Sequence, residues 1–313
     1  MMIDGKSIAQ NLLEEIQRKV LPLKAMGITP TLAVILVGDN PASESFVRMK
    51  EKAALTIGAQ LRMTNYPSTP PRRGGASLRA SELQITKEVM KEKIQELNTD
   101  SSVHGIIIQR PVPDHLNDLH LLQSIKPEKD VDGFLPHSPF EAPVAKAVVT
   151  ILHNVYQIRN SNIPLRPLDF EGRVEIRNKY DKENKFETWI QSQKIVLVGR
   201  GETAGGPIIN NFQLSMINYQ LIHSKTENPC EIMRNADIII SCVGKPRVVT
   251  RECIKPGAIL IGVGMWKDEK GEYHGDYEEQ DIKDIASFYT PIPGGVGPVN
   301  VAYLMDNLVK AVT

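Results

Sequence analysis

The sequence predicts an α/β protein made of two domains. Its 313 residues exceed the size at which a single hydrophobic core usually keeps growing. Short apolar runs alternate with segments of helical periodicity, which is the pattern of strand–helix–strand units around a parallel sheet. A glycine-rich turn follows one of these runs in the C-terminal half of the chain.

The composition is that of a globular protein with a small ligand. Hydrophobic residues make up 41% and charged residues 24% of the chain, and 37 basic side chains balance 37 acidic ones. Proteins that bind nucleic acids or anionic membranes usually carry a basic excess. We therefore expect a small-molecule ligand, and neither a nucleic acid nor a membrane as partner.

The cysteines argue against a disulfide scaffold, and the histidines argue against a metal site. Cys230, Cys242 and Cys253 form no CxxC pair, and such an odd, sparse set is typical of a reducing cytoplasm rather than of a disulfide scaffold. The seven histidines show no HxH or HExxH spacing, so no metal site is predicted. The N-terminus lacks an apolar signal core, and no run reaches the ~20 apolar residues of a membrane helix. These features predict a cytoplasmic protein.

The first half of the chain predicts three strands and three helices. The continuous apolar run 31–37 is expected to be buried on both faces. Asn40 can cap the following helix, with Pro41 in its first turn and Gly58 at its end. The other predicted elements are strands at 60–64 and 105–108 and helices at 83–98 and 141–156.

The second half predicts four further strands and a last helix. The strands are 194–198, 219–222, 237–243 and 258–263, and the helix is 298–312. Two stretches interrupt the alternation. Residues 66–80 are rich in Pro, Gly and Arg and predict a surface loop, and residues 159–192 are polar with mixed charge and predict a solvated insertion.

The glycine-rich turn has the form GxGxxA and lies between a strand and a helical segment. Gly199 allows the tight turn, Gly201 lets the backbone approach a pyrophosphate, and Ala204 lets helix and strand pack closely. The helix N-terminus would offer free N–H groups to the phosphates. This pattern favours a Rossmann-type nucleotide domain. A tight turn without a ligand is the alternative.

The next strand points to the type of nucleotide. NAD-selective folds place a carboxylate there for the ribose 2′-hydroxyl. This strand ends instead in His223, Ser224 and Lys225, and Arg200 lies in the glycine turn. Hydroxyl and cationic groups suit a 2′-phosphate, so the prediction is NADP. His223 and Lys225 can also be read as exposed loop residues.

Lys50 interrupts the apolar face of its helix. Phe46, Lys50, Ala53 and Ile57 share one face, whereas Lys52 points elsewhere. A lysine in such a place usually extends its amine to solvent. In a cleft, desolvation would instead lower its pKa and suit it to proton transfer.

Three other segments carry chemistry-bearing residues. Gln109 and Arg110 follow the strand 105–108 directly, at an edge where open α/β sheets bind ligands. Asp130 and Asp132 form a DxD pair, which is either a metal site or, more simply, a turn capped by aspartate. The glycines of 291–298 either let a flat ligand approach the backbone or punctuate the chain before the last helix.

Together these segments resemble the bifunctional methylenetetrahydrofolate dehydrogenase/methenyltetrahydrofolate cyclohydrolase family. The most specific motifs are PEKDVDGF at 127–134 and PIPGGVGP at 291–298. The others are VGDNPAS at 37–43, GIIIQRPVP at 105–113, VGR at 198–200, HSKT at 223–226 and ADIIISCVGKP at 236–246. The likeness spans nearly the whole chain apart from the two interrupting stretches.

The resemblance implies an architecture. Residues 1–150, completed by the C-terminal helix 299–313, would form the catalytic domain. Residues 151–298 would form a Rossmann-type NADP domain, with the active-site cleft between the two. A homodimer is expected.

The resemblance also implies site residues. The catalytic groups would be Lys50, Gln109 and Asp132. Of these, Asp132 would hold the pterin ring. Further substrate contacts would come from Phe46, Ile108, Arg110, Pro293, Gly294, Gly295, Val296 and Gly297. The cofactor contacts would be Gly199, Arg200, Gly201, Ser224 and Met265.

The activity implied is NADP-dependent oxidation of 5,10-methylenetetrahydrofolate to the methenyl compound, followed by hydrolysis to 10-formyltetrahydrofolate. Phe46 stands where the family has a tyrosine, and Ala142 to Ala145 replace a PCTP segment. These departures leave a degenerate NADP- or folate-binding homologue as the alternative. A metal-dependent transferase using Asp130 and Asp132 is a third hypothesis, which the nucleotide features disfavour.

Overall fold

The computed structural model describes residues 1–66, 85–160 and 179–312, which form two compact units. The first unit comprises Ile8–Pro143 and Asn300–Thr313, and the second comprises Met1–Ser7 and Val144–Val299. Apart from Tyr66, the predicted loop 66–80 lies outside the described residues, as do residues 161–178 of the predicted insertion.

The first unit contains a three-stranded parallel sheet in the order β2-β1-β3. The elements of this part of the chain are α1 (Gly5–Ala25), β1 (Thr31–Val37), α2 (Pro41–Ile57), β2 (Gln60–Tyr66), α3 (Lys87–Thr99), β3 (Gly105–Ile108) and α4 (Leu119–Leu122). The predicted bounds of β1 and β3 are confirmed to the residue. Helix α1 was not among the predicted elements.

Strand β1 forms the centre of the first unit. All seven of its residues are buried, as its continuous apolar run predicts. Leu32 and Val34 join the hydrophobic cluster of α1, α2 and the C-terminal helix. Ala33 and Ile35 point the other way and join the cluster that contains α3. A strand covered on both faces needs apolar residues at every position, not at alternate ones.

The second unit contains a five-stranded parallel sheet in the order β10-β7-β6-β4-β5. Its elements are α5 (Pro143–Asn160), α6 (Lys179–Ser192), β4 (Ile195–Val198), α7 (Gly205–Leu214), β5 (Gln220–Ile222), α8 (Pro229–Arg234), β6 (Ile238–Ser241), β7 (Ile259–Gly262), β8 (Met265–Lys267), β9 (Tyr273–Gly275), α9 (Glu279–Ile282), β10 (Phe288–Tyr289) and α10 (Val296–Lys310). The chain leaves β4 first towards β5 and then returns towards β6. Such a switch of direction opens a crevice at the carboxyl end of the strand. In the described residues, no helix is both long and apolar enough to cross a bilayer.

Part of the predicted insertion is a helix. Helix α6 packs its rings against those of α5: His153 lies 4.8 Å from Phe186, and Tyr156 lies 5.4 Å from Trp189, between ring centroids. The sequence did not predict this helix, because the segment is mostly polar and only a few aromatic residues make the contact with α5. The prediction of a solvated insertion is wrong for 179–192.

The N-terminal residues extend the second sheet at its β10 edge. Met2 pairs with Tyr289 in a parallel bridge, and the Ile3 N–H donates to the Tyr289 carbonyl at 2.8 Å. The edge strand β10 and the antiparallel pair β8–β9 were not predicted from the sequence. Each is two or three residues long, too short for a periodic signal.

The prediction that the cysteines are not cross-linked is wrong. Cys230, in α8, is disulfide-bonded to Cys253, with their Cα atoms 4.6 Å apart. Cys242 is free and buried. The 23-residue separation carries no pairing signal, and only the folding of the chain over β6 brings the two thiols together.

We expect Cys230→Ser to lower the free energy of unfolding by about 2–4 kcal/mol, because the cross-link limits the freedom of the unfolded chain. Thermal unfolding measured with and without dithiothreitol checks this. The wild type should melt at a lower temperature when reduced, and the variant should not respond to the reductant. A wild type that melts identically in both conditions contradicts the prediction.

Candidate active site and nucleotide pocket

Lys50 and Gln109 meet in the first unit. Lys50 lies in α2, and Gln109 directly follows β3 at the carboxyl edge of the sheet. The Lys50 Nζ donates to the Gln109 Oε1 at 2.8 Å. The Gln109 Nε2 donates to the Arg110 carbonyl oxygen at 2.9 Å, which orients the amide so that its oxygen faces the lysine. The amine is therefore directed to Gln109, and its role in proton transfer stays a prediction.

The electrostatics of this site draw Lys50 and Asp132 towards their neutral forms. Burial lowers the pKa of Lys50, and the negative charge of Asp132 opposes that shift only in part. Burial also raises the pKa of Asp132, against the positive charges of Lys50 and Arg110. The neutral fraction of the Lys50 amine therefore increases, and the neutral amine is the form that accepts a proton.

The structure does not bring all the predicted substrate contacts to the lysine. Phe46 is half-buried one turn earlier on α2, whereas Ile108, the last residue of β3, is buried in the cluster that contains α3, on the other face of the sheet. The Arg110 guanidinium donates to the Asn117 Oδ1 at 3.1 Å. Ser43, which the sequence did not single out, is buried and donates from Oγ to the Arg110 carbonyl oxygen at 3.4 Å. This bond joins the start of α2 to the segment after β3.

Asp130 caps a turn. Its Oδ2 accepts from the Leu135 N–H at 2.9 Å, and its carbonyl oxygen accepts from the Ser138 Oγ at 3.0 Å. This arrangement favours the turn over a metal-binding DxD pair. Asp130 is only 3% exposed, and burial raises its pKa to about 6.

The second unit holds a pocket of about 510 Å³ at the carboxyl ends of β4, β5 and β6. Its lining includes the predicted residues Gly199, Arg200, Gly201 and Ser224. The remaining lining residues are Val198, Ile222, His223, Thr226, Pro229, Met233, Cys242, Val243, Lys245 and Val248. The structure thus gathers four predicted cofactor residues at one opening.

The glycine turn has the geometry that its sequence predicts, with one correction. Gly199 has φ +96°, a conformation that side chains disfavour, and the space beside Gly201 is open. The close approach of helix to turn occurs at Gly205, not at Ala204. A Cβ on Gly205 would collide with the Gly199 carbonyl, because α7 begins one residue later than the motif suggests.

The turn after β5 brings the Ser224 hydroxyl to the pocket. The His223 N–H donates to the Thr226 Oγ1 at 2.9 Å, and the Lys225 N–H donates to the His223 Nδ1 at 3.2 Å. These bonds hold Ser224 at the tip of the turn, where it is exposed and lines the pocket. Arg200 lines the same pocket from the glycine turn.

Met265 and the second glycine loop also belong to the second unit. Met265 is not among the residues that line the pocket; its carbonyl oxygen lies 2.9 Å from where a Cβ on Gly244 would be, next to the lining residues Val243 and Lys245. Residues Pro293–Gly297 include the first turn of α10. Gly294 has φ +115°, and a Cβ on Gly295 would come within 2.6 Å of the Thr290 side chain. Both positions therefore require glycine.

Sequence reasoning missed Asp276. It is fully buried and bonded to the segment that follows β6, which supplies Val243 and Lys245 to the pocket. A single aspartate between a glycine and a tyrosine carries no motif, so its role is visible only in the fold.

Both units match models of one family. The tetrahydrofolate dehydrogenase/cyclohydrolase catalytic domain matches residues 3–132, and the NAD(P)-binding domain of the same family matches residues 182–313. The chain belongs to the tetrahydrofolate dehydrogenase/cyclohydrolase family. The predicted resemblance is confirmed, and so is the fold class of two α/β domains with a Rossmann-type C-terminal domain.

Relatives of this dehydrogenase/cyclohydrolase chain match over its full length. The bifunctional protein FolD of Geobacillus thermodenitrificans is 35% identical over 312 residues, covering 99% of this chain and 96% of the relative. FolD of Lactococcus lactis is 33% identical over 310 residues, covering 99% and 96%. 

Solved structures of the same family are also similar to this chain over its full length. The bifunctional FolD of Campylobacter jejuni is 30% identical with a TM-score of 0.80, covering 100% of this chain and 98% of that one. The Trypanosoma brucei FolD, solved with NADP and an inhibitor, is 27% identical with a TM-score of 0.80, covering 100% and 97%.

The raised pKa of Asp130 predicts a pH-dependent cost of folding. Its ordinary value of 3.8 applies to the unfolded chain, and the folded value is about 6. Stability from this group is therefore present below pH 3.8 and is lost as pH rises through 6. We expect Asp130→Asn to melt above the wild type at pH 8, and the difference to shrink at pH 4.5.

Thermal unfolding at the two pH values measures this difference. Asp100→Asn is the matched control of opposite sign, because hydrogen bonds from Ser102 lower the pKa of Asp100. That variant should lose stability at pH 8. A difference between Asp130→Asn and the wild type that does not vary with pH would count against the raised pKa.

Proposed function

We propose that this protein oxidises 5,10-methylenetetrahydrofolate with NADP and hydrolyses the methenyl product to 10-formyltetrahydrofolate. The observation that carries the proposal is the hydrogen bond from Lys50 to Gln109, which holds an amine of lowered pKa on an otherwise apolar helix face. Family membership and the bifunctional relatives support the same two activities.

Lys50 is the proton acceptor of the hydrolytic step. In its neutral form, which the lowered pKa favours, the amine donates one N–H to Gln109 and keeps a lone pair that can accept a proton. Water forms a C–O bond to the methenyl carbon and gives up a proton to Nζ. The C–N bond then breaks, and the departing nitrogen takes up a proton. One proton is released overall. Asp132 orients the pterin by accepting hydrogen bonds from its N–H groups.

The second unit supplies the cofactor site. The lining of the pocket fits NADP, because the open space beside Gly201 leaves room for a pyrophosphate and Arg200 and Ser224 lie at the same opening. Arg200 and Ser224 would hold the 2′-phosphate, and by the resemblance Met265 would contact the nicotinamide through its backbone. The chemistry that NADP supplies when bound is the acceptance of a hydride from the one-carbon bridge.

The remaining substrate contacts follow from the resemblance. Phe46, Ile108 and Arg110 line the folate site, as does the glycine loop Pro293–Gly297. The resemblance assigns residues 1–150 and 299–313 to the catalytic domain and residues 151–298 to the NADP domain, whereas residues 1–7, 144–150 and 299 group with the second compact unit. The resemblance implies a homodimer. The cytoplasmic location stays a prediction, and the bond between Cys230 and Cys253 removes the cysteine argument for it. The intact pairing of Lys50 with Gln109 favours turnover over the degenerate alternative.

Lys50→Met should abolish the hydrolysis of methenyltetrahydrofolate while leaving NADP affinity nearly unchanged. Loss of a positioned proton acceptor costs roughly 10²–10⁴-fold in rate. The decay of methenyl absorbance measures the first effect, and a binding titration measures the second. Lys52→Met is the matched control, because Lys52 is exposed on the same helix. This variant should hydrolyse methenyltetrahydrofolate at the wild-type rate. Equal rates in Lys50→Met and wild type would dismiss the assignment.

Arg200→Ala should weaken NADP far more than NAD. A charge-assisted hydrogen bond to the 2′-phosphate contributes about 1.5–3 kcal/mol, so the loss should be roughly ten- to a hundredfold. Titrations with both nucleotides check this. Lys194→Ala removes the same charge just before the opposite end of β4 and should change neither affinity. A parallel loss of NADP and NAD binding in Arg200→Ala would contradict a 2′-phosphate contact.

A further inference from the structure

Asp276 is a buried carboxylate whose oxygens are fully engaged by the protein. It follows β9 and has no exposed surface. Its Oδ2 accepts from the Ser241 Oγ at 2.6 Å and from the Val243 N–H at 2.9 Å. Its Oδ1 accepts from the Lys245 N–H at 2.9 Å. All three donors belong to the end of β6 or to the segment directly after it.

That segment forms one wall of the nucleotide pocket. Cys242, Val243, Lys245 and Val248 all line the opening. A loop at the end of a parallel strand has backbone N–H groups without ladder partners, and Asp276 satisfies two of them. The Asp276 carbonyl oxygen also accepts from the Val249 N–H at 2.9 Å, so one residue anchors both ends of the wall.

The backbone packs closely around the carboxylate. A Cβ on Gly264 would collide with the Asp276 Oδ2 and with the Gly244 N–H. Gly244 itself has φ +70°, which glycine tolerates. Burying a charge is costly unless hydrogen bonds compensate for the lost water, and here three donors converge on it. The pocket wall therefore takes its shape from Asp276.

We propose that Asp276 is the positioning residue of the cofactor pocket: its carboxylate holds the segment 242–248 in the conformation that binds the nucleotide. The inference rests on the proposed NADP-dependent function, and it adds a residue that touches neither cofactor nor substrate. Asp276 acts through the amides of Val243 and Lys245.

Asp276→Asn tests this with little change of shape. The amide presents an N–H₂ group where the pocket wall needs an acceptor, so the segment loses at least one anchor. We expect the dissociation constant and the KM for NADP to rise roughly tenfold or more, with kcat at saturating NADP much less affected. Hydrolysis of methenyltetrahydrofolate without NADP should stay at the wild-type rate, because Lys50 and Gln109 lie in the first unit.

Two variants calibrate the result. Ser241→Ala removes the hydroxyl but keeps both loop amides bonded, so its NADP affinity should stay close to wild type. Asp237→Asn is the matched control, since Asp237 precedes the other end of β6 and accepts from the Lys194 N–H at 2.7 Å. It should leave the dissociation constant for NADP unchanged.

The outcomes separate the hypotheses. Unchanged NADP affinity in Asp276→Asn overturns the proposal, and so does an equal loss of NADP binding and NADP-independent hydrolysis, which would mark a purely structural role. If Asp276→Asn does not fold, amide exchange in the wild type decides. The Val243 and Lys245 amides should exchange as slowly as those of β6 without NADP, and fast exchange there overturns the proposal. A wild type that binds NADP but turns over neither substrate would refute the proposed function while leaving Asp276 testable by binding.

Discussion

The parallel direction of the strands in the two main sheets decides where the polar groups of this protein can gather. Parallel strands require crossovers, so every segment that leaves a strand's carboxyl end emerges at one edge of the sheet. In the first unit, that edge receives Gln109 from β3. In the second, it receives the glycine turn after β4 and the segments after β5 and β6. Strand direction therefore places Gln109 at one such edge and the turns that line the pocket at the other.

Lys50 and Asp276 are two ionisable side chains in largely buried surroundings, and their hydrogen-bond partners differ. Lys50 has Gln109 as its hydrogen-bond acceptor and the charge of Asp132 nearby, while burial lowers its pKa. Its amine keeps the capacity to exchange a proton. Asp276 instead accepts three hydrogen bonds from protein donors, which hold it in place. The first environment suits a reactive group, and the second suits a group that fixes the shape of a pocket.

Asp130 shows a third outcome for a buried carboxylate. Its hydrogen bonds shape the turn that precedes Asp132, but burial outweighs them and raises its pKa to about 6. A residue two positions from a candidate catalytic group thus carries a folding cost above that pH. Local cost of this kind is common where a segment is held for function rather than for stability.

The sequence by itself determined the strands β1 to β7, the glycine turn of the pocket and the family. Continuous apolar runs predicted β1 and β3 to the residue, because strands covered on both faces leave no polar positions to blur the signal. The GxGxxA motif predicted the nucleotide end of the second sheet, because that turn requires glycine at fixed positions. These are local constraints, and a linear pattern records them.

Only the tertiary structure decided the contacts between distant segments. Lys50 alone on its helix favoured a solvent-directed side chain, and its bond to Gln109, 59 residues away, is visible only in the fold. Helix α6, the bond between Cys230 and Cys253 and the anchoring role of Asp276 left no mark in the sequence pattern. Each depends on which groups meet after folding, and neither spacing nor composition specifies that proximity.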